Sequence, residues 1–398
     1  MTRKFILALT TAAITASAAA DDKVIVPDST GFIFTDIKVV PTTSVKDQNK
    51  SGTCWCFAGT SFFEDEIMRN GGDSLDLSEM FTVRNCYRDK ARKYMRMQGN
   101  MHFAAGGSLL DVPYVWENYG AVPEEVYAGT EYGEAKHDHS ELDNAIRSYM
   151  RAIASNRKVS TAWEAGLEGI LDAYFGKIPA EFTYKGKKYT PKSYAESLGL
   201  NMDDYIAITS FSHHPFYKPF GLEVADNWLW GQYYNIPVEE LKQTVDNAID
   251  NGYSVVWAAD VSEKGFKWRK GYAVLPKLKD EKDMDGTELS RWVQLSDSDR
   301  EDEQYNFKGP VPEQEVTQQS RQEMFDRMET TDDHGMVIVG KAVDQEGNRY
   351  YKVKNSWDTN QIYGGYFYVS EPYFMAKTMD IYLHKNAVPK QIRKKLNI

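Results

Sequence analysis

Short apolar runs along the chain alternate with longer stretches of mixed polarity, and the two patterns predict different elements. Met336-Val337-Ile338-Val339-Gly340 is a continuous apolar run that reads as a buried strand. Tyr350-Tyr351-Lys352-Val353-Lys354, Gly365-Tyr366-Phe367-Tyr368-Val369 and Ser254-Val255-Val256-Trp257-Ala258 read as three more. A helix is predicted from Cys54 as far as Asn70-Gly71-Gly72, a strong stop signal. Two further helices are expected between 73 and about 127, with Val112-Pro113-Tyr114-Val115-Trp116 near the start of one, and another from Val238 to Asp250. Tyr184-Lys185-Gly186-Lys187-Lys188-Tyr189 reads as a hairpin, and Val24-Ile25-Val26 and Val39-Val40 as strand-like pieces of an exposed lead. Helices dominate the first part and strands the last, which is the pattern of an α+β fold.

The start of the first helix carries the chemistry. Gln48-Asn49-Lys50-Ser51-Gly52-Thr53-Cys54 runs straight into Trp55-Cys56-Phe57-Ala58. Gly52 permits a tight turn, and Thr53 is a candidate cap. Unpaired N–H groups and the positive end of the helix dipole favour thiolate over thiol, so the Cys54 pKa is expected to fall toward neutrality. The same N–H groups can hold an oxyanion, with the Gln48 amide as a second donor if the loop folds back. The plain alternative is a buried cysteine opening a core helix.

A thiol nucleophile needs a base, and the chain has seven histidines. His334 stands out because Asp332-Asp333-His334-Gly335 leads into the apolar strand, which puts the imidazole at its mouth. The second strand ends in Asn355-Ser356-Trp357. Asn355 is thus the candidate that fixes the imidazole tautomer, and Trp357 a cover that keeps water from their hydrogen bond. Each feature alone has an ordinary structural reading, a strand-end histidine or an Asn-Ser turn. Together, in the order Cys, His, Asn, they point to covalent acyl transfer.

Gln48 through Ala58, Asp333-His334-Gly335, and Asn355-Ser356-Trp357 with Gly364-Gly365-Tyr366 resemble the three signature blocks of papain-like cysteine peptidases. The Ser-Gly-x-Cys-Trp-x-Phe-Ala form resembles the bleomycin hydrolase or aminopeptidase C branch. Leu77-Ser78-Glu79, Gly106-Gly107, the run from Tyr119 to Tyr127, Asp260-Val261-Ser262 and Ala387-Val388-Pro389 extend that resemblance over most of the chain. It implies a papain-like two-lobe fold, a helical lobe and a β-barrel-like lobe, with a helix-rich insertion. It assigns Cys54 as nucleophile, His334 as general base and acid, Asn355 as orienter and Gln48 as oxyanion donor with the Cys54 N–H. Gly106 and Gly107 match a glycine pair whose backbone pairs with an extended substrate, a role that side-chain-free residues suit; a simple turn is the alternative. The resemblance also implies peptide substrates, assembly as a homo-hexamer, no cofactor, and N-terminal trimming governed by a C-terminal tail lying in the cleft. The tail here, ending Arg393-Lys394-Lys395-Leu396-Asn397-Ile398, is short and basic, which keeps endopeptidase action as an alternative. A Cys-His amidase of cell-wall or transglutaminase type, and a silent binding protein on this scaffold, are more remote readings.

Composition narrows the setting. The 398 residues, 42% apolar and 26% charged, suffice for two lobes around a large core. A net charge of -11 without a basic cluster argues against nucleic acid as partner. Met1-Thr2-Arg3-Lys4, then Phe5-Ile6-Leu7-Ala8-Leu9 and a small-residue tract ending Ala18-Ala19-Ala20, reads as a cleavable export signal, so a periplasmic or extracellular location and a mature start near Asp21 are expected. No retained membrane span is expected. The domain reading is a signal over 1–20, a lead over 21–44, a helical lobe over 45–127, an insertion over 128–235, and a β lobe with the tail over 236–398. Cys54, Cys56 and Cys86 are expected to stay reduced, with a Cys56–Cys86 pair as the alternative. No metal is expected: the acidic stretch around Asp283-Met284-Asp285-Gly286 lacks the closing Glu of a calcium loop, having Trp292 there. His137-Asp138-His139 and His213-His214 lack a second ligand pair and read as surface histidines.

Overall fold

In a computed structural model the helix predicted from Cys54 spans Cys54–Arg69 and is buried continuously from Trp55 to Ile67. The structure describes residues 31–398 except residue 279, so the predicted signal and the Val24-Ile25-Val26 piece lie outside the described residues. A helix with no solvent face must satisfy every polar side chain it carries. This one carries Glu64, Asp65 and Glu66, all buried. Glu64 accepts from Thr43 Oγ1 at 2.6 Å, from the Leu77 N–H at 2.8 Å and from Lys46 Nζ at 3.2 Å. Glu66 takes both guanidinium arms of Arg69 at 2.7 Å and the Tyr205 hydroxyl at 3.1 Å. Asp65 accepts from the Thr43 N–H at 3.2 Å. Lys354, on a strand of the other lobe, reaches Ser61 Oγ at 2.8 Å and Thr43 Oγ1 at 3.0 Å. These contacts tie the helix to both lobes.

The helices Glu79–Arg96 and Asp111–Tyr119 pack on it to form the helical lobe. Ser78 begins the first of these by accepting the Phe81 N–H at 3.0 Å. Helices Ser140–Ala154 and Ala162–Phe175 and the hairpin of Phe182–Tyr184 with Lys187–Tyr189 follow.

An eleven-stranded, largely antiparallel sheet forms the other lobe. At its centre the strand His334–Val343 lies between Val255–Ala259 and Arg349–Lys354, with His334 opposite Ala259 and Ile338 opposite both Val255 and Val353. Tyr366–Ser370 pairs next, and Thr35–Val39 of the lead joins the far half of the His334 strand. The C-terminal strand Thr378–His384 closes the other side of Val255–Ala259.

Two assignments differ from the expectation. Residues 205–235, read as part of the insertion, contribute the strands Tyr205–Thr209, Pro219–Gly221 and Gln232–Asn235 to the main sheet. Their ladder runs to Thr378–His384, with Ile208 opposite Ile381, and a partner so distant leaves no local signal. The acidic stretch around Asp283-Met284-Asp285-Gly286, expected as a loop rather than an ordered element, contains the helices Gly286–Trp292 and Asp297–Gln304, and Asp285 caps the first through the Thr287 and Glu288 N–H groups. All three cysteines are free thiols, and Cys56 and Cys86 donate to different acceptors, the Glu79 carbonyl and Asp111 Oδ2, each at 3.3 Å.

Burial alone would drive the Lys46 ammonium's pKa down, but Glu79, Glu64 and Asp76 together hold it well above the ordinary lysine value. Lys46→Met leaves Glu64 and Glu79 buried without their cation. It is expected to lower unfolding free energy by about 3 kcal/mol, measured by denaturant titration.

Candidate active site

Where the two lobes meet, a cavity of about 260 Å³ is lined by Gln48, Cys54, Gly106, Gly107, His334 and Trp357 among others. Asn355 sits behind His334, 2% exposed. The structure therefore gathers every residue singled out as a site candidate.

Cys54 is the first residue of its helix and is half-buried. The Thr53 carbonyl accepts the Cys56 and Phe57 N–H groups at 2.9 and 3.2 Å, but the Thr53 hydroxyl does not cap the helix. It pairs instead with Ser51 Oγ at 2.5 Å, because both side chains are fully buried and satisfy each other.

His334 opens the central strand. Its Nε2 donates to Asn355 Oδ1 at 2.7 Å, and the same oxygen accepts the Ser356 N–H at 2.8 Å. That leaves Nδ1 as the proton acceptor on the other edge of the ring. The Trp357 indole stacks on the imidazole with centroids 4.4 Å apart and is braced edge-on by Trp268 and Phe266.

Gln48 is fixed from the opposite lobe. Its N–H donates to the Ser356 carbonyl at 2.8 Å, and its Oε1 accepts from Ser356 Oγ at 2.7 Å. With the carbonyl end held, the amide NH₂ is the donor that Gln48 offers to the cavity. Ser356, read in the sequence only as part of a strand-end motif, thus orients both Asn355 and Gln48.

Gly106, Gly107 and Gly335 each stand where a Cβ would be crowded. A Cβ on Gly335 would lie 3.1 Å from Trp55 Cα and 3.3 Å from Trp55 N, so a side chain there would force the His334 strand and the helix start apart by a few tenths of an ångström. A Cβ on Gly107 would lie 2.8 Å from the Trp55 ring, and one on Gly106 would strike the Asp226 carboxylate. Lys90, fully buried, fastens this loop by donating to the Ala104 and Gly106 carbonyls at 3.1 and 2.5 Å. Lys90 carries no sequence signal beyond an ordinary helical lysine.

The electrostatics differ from the expectation of a lowered thiol pKa. Burial pushes Cys54 up to about 11 against the Gly335 and Trp55 N–H groups, and Asp332 and Asp226 add to the rise. Burial likewise holds His334 down to about 4, against its bond to Asn355. Each group alone stays neutral, so the charges arise together when the Sγ proton moves to the imidazole.

One other histidine reading changes, and a second gains a neighbour. His139 is fully buried against Phe175 and held neutral, its pKa lowered to about 4 by burial, so it is no surface residue. His213 and His214 both meet Glu223, at 3.1 and 2.8 Å, and the three ligand atoms lie within 4.8 Å of one another. Spacing along the chain missed Glu223 because a loop returns it to the pair.

The sequence matches the profile of the papain family cysteine proteases over residues 34–192 and that of the peptidase C1-like family over 286–398. The first span holds Gln48, Cys54 and the glycine pair, the second His334, Asn355 and Trp357, so the two matches supply opposite walls of one cavity. The chain is a papain-like cysteine peptidase of the aminopeptidase C branch. The peptidase is 24% identical to aminopeptidase C of Lactobacillus delbrueckii subsp. lactis over 89% of its own length and 82% of the relative's. Against aminopeptidase C of Listeria monocytogenes the identity is 22%, covering 90% and 84%. Its fold is similar to the crystal structure of PepW from Lactobacillus rhamnosis, with a TM-score of 0.66 at 20% identity, covering 91% of this chain and 84% of that one. In the peptidase, Gly335→Ala is expected to push the His334 strand off the helix start, and the rate of Cys54 alkylation by iodoacetamide should fall about tenfold or more.

Proposed function

We propose that the peptidase trims residues from the N-termini of peptides through a thioester on Cys54. The observation that carries the chemistry is the His334 imidazole, its Nε2 bonded to Asn355 at 2.7 Å beneath Trp357, with Nδ1 left for the thiol in the same cavity. Cys54 Sγ attacks the scissile carbonyl as its proton passes to His334 Nδ1. The oxyanion is held by the Cys54 N–H and the Gln48 NH₂. His334 then protonates the departing amine as the C–N bond breaks, leaving the thioester. Water attacks the thioester, giving its proton to His334, and the acid product leaves as Sγ is restored.

The relatives named aminopeptidase C support N-terminal trimming. One observation favours endopeptidase action as the second reading. Among the described residues nothing beyond Asp380 lines the cavity, and the last helix, Lys390–Leu396, is anchored elsewhere by Lys395 on Glu240 and Tyr217 at 2.5 and 3.1 Å. The helix Lys390–Leu396 thus does not line this cavity.

Cys54→Ala should abolish hydrolysis and labelling by thiol-directed epoxides, and Gln48→Ala should lower kcat by about a hundredfold. Matched free-amine and N-acetylated peptides decide the mode: a strong preference for the free amine is expected, and equal rates would replace trimming by internal cleavage.

The reading includes export directed by residues 1–20, supported by the basic start, apolar tract and terminal alanines. No helix among the described residues is long and apolar enough to cross a membrane. Mass spectrometry of the protein from the fraction outside the cytoplasm should find an N-terminus near Asp21; recovery only inside the cell with Met1 retained would end that part of the proposal. Assembly into a hexamer belongs to the same reading, supported by the family resemblance.

A further inference from the structure

The wall of the cavity beside Cys54 carries Asp226, Asp332 and Asp380, contributed by three separate segments. Elsewhere in the molecule buried acids have partners: Glu64 and Glu79 hold Lys46, Glu66 holds Arg69, and Asp111 accepts from Trp228 and Ser108. Asp380 breaks this pattern. It lies in the middle of the sheet on Thr378–His384, is 3% exposed, and its Oδ1 is sealed from solvent without a hydrogen-bond partner. No cation lies within ion-pair distance of Asp380 or Asp332 among the described residues, and Asp226 has only the His102 ring at 3.9 Å. A buried carboxylate without hydrogen bonds or a counter-charge is costly, and native structures keep one where something else meets it.

The field of this cluster bears directly on the nucleophile. Asp332 and Asp226 both oppose a charge on Cys54, and they and Asp333 also act on one another: burial first, then Asp226 and Asp333, push Asp332 up to about 7. The Asp380 carboxyl is driven well above its ordinary range by burial and by Asp332. One positive charge in the cavity would relieve all of these repulsions and allow the thiolate to form at lower cost. A small metal ion does not suit the arrangement, because the three carboxylates do not bring their oxygens within 4.8 Å of one another, as the His213, His214 and Glu223 atoms do. Leu109, Val224, Tyr233 and Ala258 line the same cavity, and such apolar and aromatic surface fits the carbon body of an amino acid better than a hydrated ion.

We propose that Asp380, with Asp332 and Asp226, is the receptor for a cationic group of the peptide substrate, an ammonium or guanidinium, and sets specificity for it. The proposal rests on the peptidase reading above, which makes the cavity a substrate cleft. Asp380 is its specificity-determining residue and takes no part in bond making. Two groups carry this chemistry: the α-ammonium of a free N-terminus, and the side chain of a Lys or Arg residue. With the first the receptor selects chain ends; with the second it selects basic sequences.

The test uses the full-length protein and four alanyl anilide substrates beginning with Lys or norleucine, each with a free or an N-acetylated terminus. The best cationic substrate is expected to exceed N-acetyl-norleucyl-alanyl anilide in kcat/KM by about tenfold or more. Loss on acetylation identifies the α-ammonium, and loss on changing Lys to norleucine identifies the side chain. In Asp380→Asn that cationic-to-neutral ratio should fall about tenfold, with Asp332→Asn falling in the same direction. Stoichiometric labelling of Cys54 by an epoxide inhibitor reports that each variant is folded, and Asp332→Asn carries the test if Asp380→Asn is not. Four substrates within twofold of each other in the wild type, or a ratio unchanged in the folded variants, overturns the receptor while leaving the peptidase intact. If the wild type cleaves no peptide, the peptidase reading fails instead. Calorimetric binding of lysinamide and N-acetyl-norleucinamide to Cys54→Ala then decides the receptor by itself, equal affinities overturning it.

Discussion

The close approach of the Gly335 backbone to the start of the Cys54 helix is the contact on which the rest of the site depends. At that point one lobe presents a helix N-terminus and the other begins its central strand, so close that a Cβ on Gly335 would lie 3.1 Å from the Trp55 backbone. The distance places the imidazole of His334 and the thiol of Cys54 in one cavity although the two residues are far apart in sequence. It also explains why the helix is buried on every side: it serves as core for both lobes at once, and its acids are answered from both.

The surroundings of the pair are strongly asymmetric. On the imidazole side the polar groups are satisfied in sequence, from His334 to Asn355 to Ser356 to Gln48, under a stacked indole. One short segment, Asn355-Ser356, therefore fixes both the His334 ring and the Gln48 amide. On the other side the cleft is acidic, and its most buried carboxylate, Asp380, has an oxygen without a partner. Burial favours neutral groups at the nucleophile, and the acids reinforce that preference until a proton moves or a cation arrives. The cleft's charge then contributes to the choice of substrate as well as to the state of the thiol.

Much of the fold was legible along the chain. The Cys54 helix, the Val238–Asp250 helix, the hairpin near 184–189 and the strands through Val255, Val337, Val353 and Phe367 follow from periodicity and stop signals over a few residues. The strands of residues 205–235 and the strand Thr378–His384 did not, because each is short and its hydrophobic face is defined by a partner elsewhere in the sequence. The Thr53 cap failed for a related reason: its hydroxyl was already committed to Ser51 in the folded core.

That Gln48, Cys54, His334, Asn355 and Trp357 belong together was legible in the sequence alone, since residue type and local motif mark each as a candidate, and the structure places them at one cavity. What tertiary structure decided was everything that depends on burial and on approach across the lobes. It set the protonation tendency of Cys54, because desolvation outweighs the helix terminus there. It made Ser356 the common support of two amides, and it made Asp226, Asp332 and Asp380 one acidic wall. A carboxylate's neighbours in space are set by packing, and no pattern of residues near Asp380 in the chain describes what faces it.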